Sequence, residues 1–113
     1  KLNDTLRADR ANAVLCWLAT VDAQGFPNVT PKEIFALSGD DRIVIAGQRA
    51  EHPGKSGRLC LLVDIFRQQG WKITGTAEII APEDPRFAAE GIEVLRMAGS
   101  DYPVRHLVVI AVD

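Results

Sequence analysis

Two prolines four residues apart, Pro27 and Pro31, stand inside a run that otherwise reads as strand, Phe26 to Leu37. Proline has no N–H to give to a sheet ladder, so this strand must be an edge, carry a bulge, or bend. The run before it, Val14 to Val21 (VLCWLATV), is almost unbroken in apolar and strand-forming residues. It reads as a strand covered on both faces. Between the two, Asp22-Ala23-Gln24-Gly25 gives a tight turn, with Gly25 suited to positive φ, so the runs are expected to pair as a hairpin.

The rest of the chain continues in the same style. Arg42 to Ala46 (RIVIA), Leu59 to Ile65 (LCLLVDI), Trp71 to Ile80 and Val104 to Val112 read as four more strands. The first three strands, joined by two short turns, suggest an antiparallel meander. Gly75 in mid-strand predicts a bulge or a close approach by another backbone. A short helix is expected over Asn3 to Asn12, capped by Asp4 or Thr5, with Leu6 facing the core. A second is expected from Asp84 as N-cap through Pro85 to Gly99, with Phe87, Gly91, Val94, Leu95 and Ala98 on one face. Six mostly antiparallel strands and two short helices make a mainly β fold, and a compact barrel plugged by helices is the natural way to remove its sheet edges.

Composition sets the bounds. The 113 residues are 47% apolar and 25% charged, which fits one globular domain over 1–113 rather than a disordered chain. No run of about 18 apolar residues suggests a membrane helix, and Lys1 to Asp9 are polar with no secretory h-region, so a cytoplasmic protein is expected. Cys16 and Cys60 both sit in apolar runs and read as reduced core residues, with no C-x-x-C or H-x-x-x-H pair to bind a metal. His106 reads as a core or interface histidine and His52 as a solvated one. No G-x-S-x-G elbow or exposed reactive cysteine points to hydrolase chemistry.

Net charge is −2, which argues against general nucleic-acid binding. Its distribution says more. Residues 42–72 hold Arg42, Arg49, Lys55, Arg58, Arg67 and Lys72 against Glu51 and Asp64, a zone of +4 on an otherwise acidic chain. Such a zone suits a small anion. The loop Gly47 to Arg58 adds glycine amides and Ser56, the materials of a phosphate nest, without being a Walker A sequence.

Taken in order, these segments resemble the pyridoxamine 5′-phosphate oxidase-like FMN-binding split-barrel proteins, in particular the small single-domain FMN-binding members. "LATVDAQGFPNVTPKE" and "FRQQGWKITGTAE" carry the resemblance most specifically. It implies a six-stranded antiparallel split barrel. It also implies a homodimer with FMN in a groove between subunits, acting as an oxidoreductase or electron carrier, with a substrate or electron-transfer partner that the sequence does not identify. Asn28, Thr30, Pro31 and Lys32 match positions that meet the flavin ring and ribityl chain. Ala46, Gly47 and Gln48 match the strand end beside it, and Arg49, Lys55 and Ser56 the phosphate-gripping loop. Gln69, Trp71 and Lys72 match a region that approaches the flavin from the partner subunit. Two departures stand out. Only about a dozen residues separate RIVIA from LCLLV, fewer than relatives usually have. The C-terminal extension that completes the pyridoxamine phosphate site is also missing, so that activity is not expected. A deazaflavin- or haem-binding member of the same barrel, or a cofactor-free dimeric binding module, are the alternative readings.

Overall fold

The structure is a computed structural model. It describes residues 2–47, 57–64 and 69–113, with backbone placement only for 57–64 and 69. Helix α1 runs Asp4–Asn12, and its cap is Asn3 rather than Asp4 or Thr5: the Asn3 side chain accepts the Leu6 N–H at 2.8 Å. That bond satisfies one of the orphan amides of the first turn. Leu2 and Leu6 are buried beneath it.

Strand β1 (Cys16–Val21) alternates buried and exposed, with Cys16, Leu18 and Thr20 on the buried face. The expectation of cover on both faces therefore fails for β1, whose Trp17 and Val21 look outward. The turn that follows is built by Asp22, whose carboxylate accepts the N–H groups of Gln24 and Phe26 at 2.9 Å, while Gly25 takes φ +88°.

The proline run breaks in two. Strand β2 (Pro27–Lys32) pairs with β1, and after a bend at Glu33–Ile34 strand β3 (Phe35–Ser38) pairs instead with β4 (Arg42–Gly47). Strands β5 (Gly57–Asp64), β6 (Gln69–Ile80) and β7 (His106–Val112) complete one antiparallel sheet in the order β2-β1-β5-β6-β7-β4-β3. The two halves of one sequence run thus form the two ends of the sheet, and the first three runs do not form the expected meander. Lys32 and Phe35 are three residues apart, a reach of about 10 Å at most, so the sheet must roll until its ends meet at the bend. The ends come together without closing, which is a split barrel.

The barrel interior is filled by Cys16, Leu18, Phe35, Ile43, Ile45, Ile73, Val108 and Ile110, with Leu2, Leu6 and Ala13 packed on them from the α1 segment. A second core lies outside the barrel, where Val44, Ala46, Ile80, Leu107 and Val109 meet Val94. The expected helix of residues 85–99 divides there into α2 (Phe87–Glu90) and α3 (Ile92–Ala98) at Gly91. A Cβ at Gly91 would press on the Phe87 carbonyl and Leu107, so the glycine lets the helix break lie close on β7. Gly99 ends α3 at φ +63°, as expected. Gly75 also proves to be a close-approach glycine, since a Cβ there would strike the Ala111 carbonyl across the ladder.

Candidate functional site

The hairpin register sorts the residues of β2 between two faces. Asn28 lies opposite Thr20, Thr30 opposite Leu18, and Lys32 opposite Cys16, all on the half-buried face. Pro27, Val29 and Pro31 lie opposite Val21, Ala19 and Trp17 on the outward face. On the inner face two hydroxyls stand out: Thr20 Oγ1 and Thr30 Oγ1 are both buried and lack a hydrogen-bond partner among the described residues. A buried hydroxyl left unpaired costs about 1–3 kcal/mol, so two on neighbouring strands call for a reason.

The bend gathers more of the expected residues. The Ile34 carbonyl accepts the Ala46 N–H at 3.0 Å, so Lys32, two residues before Ile34, ends beside the close of β4. Ala46 and Gly47 are buried there. The His106 ring lies so close over Gly47 that any side chain at 47 would collide with it. His106 is only 8% exposed, a core histidine as expected. Gln48, Arg49, Lys55 and Ser56 lie outside the described residues, and with them the expected phosphate loop.

The remaining expected residues sit elsewhere on the sheet. Trp71 is in the same cross-strand row as Lys32, through Cys16 and Leu61, three strand spacings or about 14 Å away. Its indole N–H donates to Asp9 at 2.7 Å and its ring packs on the barrel core, so it is anchored to α1. Lys72 is exposed and falls in the outward row with Trp17 and Pro31. Gln69 opens β6, paired with Asp64. One chain therefore lines Asn28, Thr30 and Lys32 along the inner face of β2, brings Lys32 near the end of β4 at Ala46 and Gly47, and sets Pro31 and Lys72 on the outward face.

The basic zone does not form one patch among the described residues. Arg42 is at the far end of β4 from Gly47, five residues or about 17 Å away, and donates to Glu90 at 3.2 Å. Thr20 is the residue that sequence reasoning passed over. The Asp22–Gly25 turn fixes its register opposite Asn28, so the signal was present in the turn.

A rolled sheet that stops short of closure, split at a proline-bearing strand, defines the class as the split β-barrel. Residues 2–113 match the pyridoxamine 5′-phosphate oxidase family, and the chain belongs to that family. Solved structures share the fold. HupZ from Group A Streptococcus is 23% identical, with a TM-score of 0.81 over 100% of this chain and 90% of that one. A putative pyridoxamine 5′-phosphate oxidase from Lactobacillus delbrueckii is 22% identical, with a TM-score of 0.71 over 100% and 91%. An FMN-binding protein from Syntrophomonas wolfei is 19% identical, with a TM-score of 0.66 over 96% and 80%. No curated protein matches the chain.

Proposed function

We propose that the protein is a cytoplasmic FMN-binding flavoprotein that works as a homodimer, in flavin-dependent oxidation–reduction or electron transfer. Its cofactor is held along β2 and the end of β4. The observation that carries this reading is the unpartnered, buried hydroxyl of Thr30, on the strand where family members meet the flavin, with that of Thr20 beside it. A flavin's ribityl chain and pyrimidine edge are rich in groups that such hydroxyls and the Asn28 amide can bond. FMN, when bound, supplies hydride and single-electron transfer. The chain's own residues bind and orient it: Asn28 and Thr30 by hydrogen bonds, and Lys32 by its charge, which favours a reduced, anionic ring.

The dimer reading rests on the outward face of the β1–β2 hairpin. Trp17, Val21, Val29, Pro27 and Pro31 form an all-apolar ladder there, and Val29 is 58% exposed. Apolar surface gathered in this way marks an interaction site. The buried setting of His106 favours a flavin over a haem held by that residue. The test is a fluorescence titration of the purified protein with FMN, comparing wild type with Thr30→Val. Saturable binding that weakens in the variant supports the reading. Absence of binding overturns it, and binding of a deazaflavin alone would move the protein to that neighbouring function.

A further inference from the structure

The sheet's other end carries a feature unrelated to the flavin reading. Because the Ile34 carbonyl bonds to β4, the alternation of a strand turns the backbone groups of Phe35 and Leu37 away from it, toward the open edge. Two arginines of α1 reach that edge: Arg10 donates to the Phe35 carbonyl, and Arg7 to the Gly39 carbonyl at 2.6 Å. Beside them lies a shallow, open groove of about 380 Å³. Its walls include Arg7 and Arg10, Ala36 and Leu37 of β3, and Glu93 and Met97 of α3.

Arg10 is out of balance there. Its guanidinium carbon sits 3.8 Å from the centre of the buried Phe35 ring, and its Nε is buried with no hydrogen-bond partner. Among the described residues it forms no ion pair, whereas Arg7, Arg42, Arg86 and Arg96 each have a carboxylate. The one acid in the wall, Glu93, is bonded to Arg96. Burial already holds the Arg10 guanidinium below the usual arginine range. A half-buried cation without a counter-ion is unfavourable, and an anion from outside is the remedy.

We propose that the groove between α1, β3 and α3 binds a small amphiphilic carboxylate. Its carboxylate pairs with the terminal nitrogens of Arg10, with Arg7 as the second cation. Its apolar part rests on Ala36, Leu37 and Met97. Guanidinium suits this task because it presents paired donors in a plane that matches a carboxylate. The Phe35 ring holds that plane in place from behind.

Calorimetric titration of the protein with hexanoate tests the proposal, with hexan-1-ol and inorganic phosphate as controls. Hexanoate is expected to bind saturably and hexan-1-ol not at all, with phosphate weaker than hexanoate. Arg10→Met keeps an apolar stem and should weaken hexanoate by about tenfold or more. Met97→Glu, at an exposed position, puts a like charge at the groove mouth and should also weaken it while leaving the fold intact. Saturating FMN should leave hexanoate binding unchanged. The proposal is overturned if hexanoate does not saturate, if both variants bind it as wild type does, if phosphate binds as tightly, or if FMN displaces it.

Discussion

At the scale of single residues, the unpartnered hydroxyl of Thr30 makes a prediction of opposite signs for stability and binding. Thr30→Val is nearly isosteric and removes a buried group that nothing among the described residues satisfies. The free protein should melt at the same temperature or a few degrees higher, by about 1 kcal/mol at most. FMN affinity should drop about tenfold. Equal affinity in a fluorescence titration would mean that the hydroxyl is no ligand contact. Lys32→Ala tests charge rather than hydrogen bonding: the bound flavin's potential should become more negative, by about 30 mV for each 1.4 kcal/mol lost. An unchanged potential in a redox titration would show that Lys32 does not tune the flavin. Gly75→Ala tests packing alone. Its new methyl meets the carbonyl of Ala111, which is fixed in the ladder, so a loss of about 2 kcal/mol is expected in chemical denaturation. Gly75 was legible because a mid-strand glycine forgoes side-chain packing, which a strand accepts where another backbone comes close. Trp71 was not: no local pattern signals that Asp9, 62 residues earlier, takes its indole N–H.

At the scale of elements, local chemistry decided what the sequence could reveal. Turns and strands were plain because Asp22, Gly25 and the apolar runs act on their near neighbours. The fate of the proline strand was only half plain. Its bend was one of the foreseen outcomes, but the separation of its halves to opposite sheet ends depends on β4 and β7, which lie far along the chain. The α2–α3 break at Gly91 was missed because the periodicity of residues 87–98 continues through it, while the cause is contact with Leu107. Ahead of α2, Arg86 links Asp84 at 2.8 Å and Glu78 of β6 at 2.6 Å. The Arg86 hydrogen bonds pull the Asp84 carboxyl down to about 2, below the ordinary carboxylate value. A depressed carboxyl contributes stability that is present above its unfolded value near 4 and lost as pH falls through the folded value. The clasp should therefore hold down to about pH 2. In a carbon NMR titration, Arg86→Ala should raise the Asp84 midpoint toward the ordinary value of about 3.9 but leave it short of that, because the backbone N–H of residue 86 still donates to the carboxylate. A midpoint unchanged from wild type would assign the shift to some group other than the Arg86 side chain.

At the scale of the whole molecule, the barrel itself was legible from six strand runs and short turns, since few other shapes absorb that many edges in so short a chain. The site was legible in part. The bend brings Lys32 of β2 near Ala46 and Gly47 at the end of β4, while Asn28 and Thr30 follow Lys32 along the inner face of β2. The division of Pro31 and Lys72 to the outward face follows from strand alternation, which the resemblance alone did not resolve. That outward face is where the proposed second subunit belongs. Val29→Asp places a charge in the middle of the apolar ladder, and sedimentation should then find a monomer where wild type is a dimer. A variant that remains dimeric would place the interface elsewhere. Everything proposed for the flavin depends on the split barrel holding FMN at all. An absorption spectrum of the purified protein, taken after loading with excess FMN and desalting, decides that point. Flavin bands should stay with the protein. A colourless protein after the same treatment would contradict the proposed function.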